Sequence, residues 1–231
     1  MKKTKDRTKK LIKIHERLRQ TYPPNHHFNK ERIFDEILYI FFTWRTPIKK
    51  AEEIFQDLCF KYPDKAEWFD LKEEDWYSIL GSGGKARDKS KTVVKLLSKL
   101  KQDFKDIDSI ESMGKWEDET IHRYLISLPG IKDKSAYCIM LYAMHKPYFP
   151  ADAHCLRICQ RVGILEGTNI RKQDRVKGQK ELNELLAGNY KICYDLHTTM
   201  IVHGRTVCKS RQLCGKCVIE KYCEYSKMNK D

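Results

Sequence analysis

The sequence predicts an all-α protein, on three observations. Apolar residues recur at helical spacing along most of the chain. No run alternates apolar and polar residues with β-branched side chains over strand length. The breaks fall at short clusters of proline and glycine. Taken in order, Ile33, Ile37, Leu38, Phe41 and Phe42 form one helical stripe, and Ile54, Leu58 and Phe60 a less regular second. Val93, Val94, Leu96, Leu97 and Leu100 form a third. Ile121, Tyr124 and Leu125 precede a turn, and Ala136 to Met144 follow it. Loops are expected at Tyr22-Pro23-Pro24, Gly81-Ser82-Gly83-Gly84 and Leu128-Pro129-Gly130. There is no internal repeat.

The length of 231 residues suits one large or two small domains at about 150 residues each. Hydrophobic residues make up 41%, which excludes a wholly disordered chain. No apolar run approaches the roughly 18 residues of a membrane span, and MKKTKDRTKK has none of the features of a signal peptide. A cytoplasmic or nucleoid-associated protein with no membrane partner is expected. In that compartment nine cysteines point to metal or cluster ligation before disulfides.

The formal charge is +13, unevenly spread. Residues 1–20 carry +7, residues 85–101 +6 and residues 201–231 +4, whereas residues 51–78 carry −6. Such a surface suits a polyanion, and equally suits solvated helix faces with a basic tail.

Cys208, Cys214, Cys217 and Cys223 are spaced C-x5-C-x2-C-x5-C. Thiolates suit iron–sulfur clusters and zinc. Structural zinc usually takes two short pairs. Here one short pair is flanked by wider spacings, which favours a 4Fe–4S cluster and leaves zinc open. Cys59, Cys138, Cys155, Cys159 and Cys193 sit in apolar patterns and are expected in the core.

The segment Ser127-Leu128-Pro129-Gly130-Ile131-Lys132-Asp133-Lys134-Ser135-Ala136 joins two helices, the second beginning near Asp133 or Lys134. Its free N–H groups and positive dipole end can hold a phosphate oxygen. This segment resembles the helix-hairpin-helix motif of the endonuclease III branch of DNA glycosylases, L-P-G-x-G-x-K-S/T-A. Pro150-Ala151-Asp152-Ala153-His154-Cys155-Leu156-Arg157-Ile158 resembles that family's V-D-T/S-H-I/V-x-R-V/I. His203-Gly204-Arg205 then leads into the cysteine loop, as in H-G-R-x-x-C. The three motifs stand in family order and reach the end of the chain, while residues 30–127 match only in helix pattern.

The resemblance implies two helical lobes flanking a DNA-binding cleft. Residues 30–146 form a six-helix barrel that includes the hairpin. Residues 1–29 and 147–231 form a discontinuous lobe holding the 4Fe–4S cluster. It implies a base-excision repair glycosylase with AP lyase activity. The substrate is double-stranded DNA containing a damaged base or abasic site, oxidised pyrimidines by family default. Lys134 is then the amine nucleophile, with a pKa lowered by burial and by the helix dipole, and Asp152 stabilises charge at C1′ and moves protons. Taken alone, Asp152 reads as a helix N-cap, and both roles are compatible.

The resemblance also makes Gly130, Ile131, Lys132, Lys209 and Arg211 DNA contacts. Trp44 stands in Phe41-Phe42-Thr43-Trp44-Arg45-Thr46 where the family carries glutamine. An indole can plug the gap left by a flipped base, or it can be core. The loop Gly81-Ser82-Gly83-Gly84-Lys85-Ala86-Arg87 is glycine-rich and lacks the family's apolar wedge. Lys132 replaces the hairpin's second glycine, and the first cysteine spacing is x5 where close relatives have x6.

Two other readings remain within the DNA-binding class: a glycosylase for a damaged purine or mismatched base, and a catalytically silent DNA-binding iron–sulfur protein. An electron carrier fits the basic balance and the hairpin less well. A monomer is the default for a protein that wraps a kinked duplex.

Overall fold

The computed structural model describes residues 2–23, 28–81, 84–166 and 172–228. In chain order its helices are α1 (Lys2–Thr21), α2 (Ile33–Thr43), α3 (Ile48–Lys61), α4 (Glu73–Leu80), α5 (Ala86–Asp103), α6 (Ile107–Glu111), α7 (Asp118–Ser127), α8 (Asp133–Tyr142), α9 (Ala153–Arg161), α10 (Lys172–Leu186), α11 (Tyr190–Thr206) and α12 (Glu224–Met228). Short 3₁₀ turns make up the remaining regular structure, and no strand occurs among the described residues. The fold is all-α.

The chain divides into two compact units, Met1–His26 with His145–Asp231, and His27–Met144. In the His27–Met144 unit the described residues form six helices of at least eight residues, together with the five-residue α6. Its centre is α2. Every residue from Ile33 to Phe42 is buried, so this helix is enclosed all round rather than packed on one face. Phe34 meets Trp68, Phe42 meets Trp76 and Tyr39 meets Phe55 in an aromatic core.

Enclosure forces α2 to satisfy its polar groups locally. The Glu111 carboxylate accepts from the free first-turn N–H groups of Ile33 (2.9 Å) and Phe34 (3.1 Å). At the other end, the buried Lys89 ammonium on α5 donates to Phe42 O (3.3 Å) and Thr46 Oγ1 (2.8 Å). Burial pushes the Lys89 amine down to about 8. The Asp35 carboxylate takes Lys65 Nζ at 2.5 Å.

Two sequence expectations are corrected here. Phe60 is 91% exposed near the end of α3, because Ile54, Phe55 and Leu58 already occupy that helix's inward face. Cys59, beside it, is half-buried rather than core.

In the other unit α1 packs along α11 and α10. Leu11, Ile14 and Leu18 are fully buried. The polar side of the contact is specific: Arg7 bonds Glu181 at 2.9 Å, and the buried Asp195 carboxylate receives His15 (3.2 Å), Arg19 (3.3 Å) and Lys191 (3.2 Å).

Candidate active site and cysteine loop

The hairpin lies in the His27–Met144 unit, between α7 and α8. Leu128 N–H closes the end of α7 on Leu125 O at 3.1 Å, and the Leu128 side chain is core. Gly130 has φ +83°, in the left-handed region. A Cβ there would stand 2.7 Å from Phe41 Cε1 and Thr92 Cγ2 and 2.9 Å from Trp44 Cη2. Conformation and contact both require glycine.

Ile131 departs from its expected role. Its side chain is 4% exposed and its N–H donates to Leu128 O at 3.1 Å, so neither is presented to a phosphate. Lys132 is exposed and is the N-cap of α8, with no side-chain capping bond. Asp133, Lys134 and Ser135 open α8 with N–H groups outside the helical ladder. Lys134 is the second residue of α8, and it is exposed. Helix-end placement is therefore present, but the expected burial of the amine is not.

Trp44 follows α2 directly, and its N–H donates to Phe41 O at 3.2 Å. The indole is half-buried, 4.5 Å from the Phe41 ring and against Gly130. It supports the hairpin from below and keeps part of its surface free. Arg45 then turns through φ +48°, and its carbonyl lies 2.5 Å from where a Gly84 Cβ would be. Gly84 is thus the residue that lets the α4–α5 connection approach this turn. Ser82 and Gly83 of the expected wedge loop lie outside the described residues.

Asp152 belongs to the second unit. It is the N-cap of α9, its Oδ1 accepting Cys155 N–H at 2.8 Å. The strap before it is tied to α10, with Phe149 N–H on Asn183 Oδ1 and Ala151 N–H on Gln179 Oε1, both at 2.7 Å. The carboxylate is half-buried.

Cys208, Cys214, Cys217 and Cys223 line one small apolar cavity, with about 290 Å³ between atoms, its open side included. Burial, and then the thiols of Cys208, Cys223 and Cys214, push the Cys217 thiol up to about 11. Among the described residues no three His, Cys, Asp or Glu side chains could hold a metal ion together.

Four residues outside the expected ligand and DNA-contact sets organise this loop. Arg157 Nε donates to Cys208 O (2.9 Å) and Nη2 to Gly204 O (3.0 Å), so backbone carbonyls hold its guanidinium. One turn on, Arg161 Nη1 donates to Cys208 Sγ (3.2 Å) and Lys209 O (2.7 Å), and Nη2 to Ser210 O (3.2 Å). His203 is fully buried, 3.5 Å from Cys217 Sγ and 3.1 Å from the Tyr22 hydroxyl, and burial pushes its imidazole down to about 4. The four-residue spacing of Arg157 and Arg161 on α9 was the available signal. His203 stands in the His203-Gly204-Arg205 motif before the loop, and Tyr22 carries no such signal. Lys209 and Arg211 are exposed on the loop that Arg161 staples, and Arg205 is exposed as well.

No family model matches the chain. Endonuclease III of Buchnera aphidicola subsp. Baizongia pistaciae is 33% identical over 106 residues, 46% of this chain and 46% of that protein, so the chain spans about half the length of such curated relatives where it matches them. Endonuclease III of Thermotoga maritima is 25% identical over 205 residues, 88% of this chain and 87% of that one. The solved structure of a trapped endonuclease III–DNA covalent intermediate, an estranged-adenine complex, superposes with TM-score 0.77 at 18% identity, covering 97% of this chain and 99% of that one. The chain is endonuclease III-like.

The departures from the endonuclease III pattern now have physical accounts. Lys132 sits at φ −128°, ψ 170°, extended backbone open to any residue, so losing the second glycine does not strain the turn. The shorter first cysteine spacing coincides with a loop whose carbonyls converge on Arg161. Trp44, where glutamine is expected, is held by Phe41 and Gly130 rather than standing free.

Proposed function

We propose that this chain is a base-excision repair DNA glycosylase with AP lyase activity. It acts as a monomer in the cytoplasm or nucleoid, on duplex DNA carrying an oxidised pyrimidine or an abasic site. The observation that carries the reading is Lys134 in the first turn of α8, in an endonuclease III-like hairpin.

The flipped nucleotide presents C1′ to the Lys134 Nζ. The neutral amine forms a bond to C1′ while the C1′–N bond to the base breaks. The ammonium so formed gives up one N–H proton, and the departing base takes one up; the C1′–O4′ bond then breaks, O4′ gaining a proton, to leave the protonated Schiff base, and removal of a C2′ proton then expels the 3′ phosphate. A lysine ordinarily titrates near ~10.4, so attack needs help. The α8 dipole supplies part, and covering an exposed side chain with DNA supplies desolvation only in the complex. Asp152, half-buried and acting as an N-cap, offers one oxygen to Cys155 N–H while the other serves C1′ charge and proton transfer.

Gly130, Lys132 and the free N–H groups of α8 hold phosphate, as do Lys209 and Arg211 on their loop. Trp44 fills the space the base leaves. With Trp44→Ala, lesion binding and excision are expected to fall together; unchanged values would assign the indole to the core alone.

The cysteine loop fits a 4Fe–4S cluster held by Cys208, Cys214, Cys217 and Cys223. A zinc ion needs all four sulfurs about 2.3 Å from one point, whereas a cluster takes one thiolate per iron around a larger body. Four thiols lining one apolar cavity suit the second demand. When bound, the cluster supplies cross-links that order the loop bearing Lys209 and Arg211.

Borohydride trapping on a duplex with one thymine glycol tests the mechanism, with Lys134→Ala as control. A covalent complex from the unaltered protein only is expected. Silence there but trapping on a preformed abasic site would keep the lyase and change the lesion. Silence on both would leave a DNA-binding protein without lyase chemistry.

A further inference from the structure

We propose that Tyr22 and His203 form a hydrogen-bonded relay onto Cys217 that raises the reduction potential of the cluster and ties it to the N-terminal helix. This rests on the cluster reading above.

The geometry is specific. His203 lies in the last turn of α11 with its side chain fully buried. Both ring nitrogens are engaged, Nδ1 with the Tyr22 hydroxyl at 3.1 Å and Nε2 with Cys217 Sγ at 3.5 Å. A free thiol can donate or accept, so with Cys217 protonated either tautomer is allowed. A ligating thiolate can only accept. Nε2 must then carry hydrogen, and in the neutral ring Nδ1 is left as the acceptor for the Tyr22 O–H. Tyr22, whose hydroxyl also meets the Thr206 side chain, thereby holds the tautomer that donates to sulfur.

Tyr22 is also well placed to report on α1. It is the residue after that helix, and its N–H closes the last turn on Leu18 O at 2.7 Å. Its ring centroid is 5.7 Å from that of His203. The other donors to ligand sulfurs differ in kind. Arg161 also staples the carbonyls of Lys209 and Ser210, and Ser226 offers Cys223 a backbone N–H at 3.4 Å.

An N–H aimed at a ligand sulfur draws electron density from it. This stabilises the more electron-rich, reduced cluster and moves the potential up. The step is addition of one electron from an electrode, with no proton moved.

The test uses the full chain isolated with its iron, read by film voltammetry and by the Fe–S stretching bands in resonance Raman. His203→Leu is expected to shift the midpoint to lower potential. His203→Gln, whose amide N–H stands near the position of Nε2, is expected to recover most of that shift. Tyr22→Phe is expected to give a smaller shift of the same sign with iron and sulfide content unchanged. Loss of thermal stability alone, with midpoint and Fe–S bands unmoved in His203→Leu and Tyr22→Phe, would overturn the relay, as would equal shifts in the Leu and Gln variants. If His203→Leu does not fold, Tyr22→Phe decides on the same readouts. Unaltered protein that holds no iron and sulfide would overturn the cluster reading and the relay with it.

Discussion

Glu36 is the residue whose chemistry is most at odds with its surroundings. It is fully buried on α2, with Oε1 accepting from Asn29 Nδ2 at 2.5 Å and Oε2 from Lys30 N–H at 2.7 Å. Burial pushes its carboxyl up to about 8, against the pull of those bonds and of the Lys134 and Lys30 charges. Above the unfolded carboxyl range the unfolded chain has released this proton while the native state still holds it. Stability is therefore full at low pH and falls as pH rises from roughly 4.5 towards 8. Glu36→Gln turns a donor-only amide nitrogen towards Asn29 Nδ2 or the Lys30 N–H and loses one of those bonds, but its stability is expected to be the same at pH 4.5 and pH 8, whereas that of the unaltered protein falls by on the order of 1 kcal/mol or more between them. Urea denaturation at the two pH values measures it. A helical apolar stripe through Ile33, Ile37 and Phe41 was legible in the sequence. Nothing there indicated that Asp35 and Glu36 would be enclosed too, because enclosure is decided by the helices packed around α2.

At the scale of elements, legibility followed how local the cause was. The start of α8 at Asp133 was readable, since Pro129 and Gly130 act within the hairpin itself. The N-cap role of Asp152 was readable for the same reason. The loss of Ile131 to the core was not, because Leu128 and Ile131 close a turn whose apolar side chains must go inward. The exposure of Lys134 was likewise hidden, since one helix register sets which side of α8 faces out. Lys89 is the long-range case. A lysine in a basic run reads as a solvated face, yet its ammonium closes the C-terminal end of α2 and fixes Thr46, two residues beyond Trp44. Lys89→Met keeps the stem and removes the donor. It is expected to cost roughly 1–3 kcal/mol, the range for leaving a buried polar group unmet. The Trp44 to Thr46 backbone amides should also exchange faster with solvent deuterium. Unchanged exchange there would make Lys89 a bystander to the turn.

At the scale of the whole molecule, the chain builds two units of different connectivity. The His27–Met144 unit is one continuous stretch around an aromatic core. The other joins the first 26 residues to the last 87 and closes over the cysteine loop. The sequence motifs announced both halves, but not what fastens α1 into the second. The fastening is a set of partners far apart in sequence: Arg7 with Glu181, His15 and Arg19 with Asp195, and Tyr22 with His203. Because the cysteine loop is carried by Arg157, Arg161 and His203 on α9 and α11, losing the cross-link of the proposed cluster is expected to loosen that unit and spare the other. Cys217→Ala should therefore raise hydrogen exchange across α1, α9 and α11 while α2, α5 and α8 keep their protection. Mass-spectrometric exchange on the full chain resolves these helices separately. Loosening of α2 and α5 to the same degree would mean that the two units unfold as one. Protection unchanged everywhere would mean that side chains alone hold the loop, and that the proposed cluster orders at most the exposed stretch bearing Lys209 and Arg211.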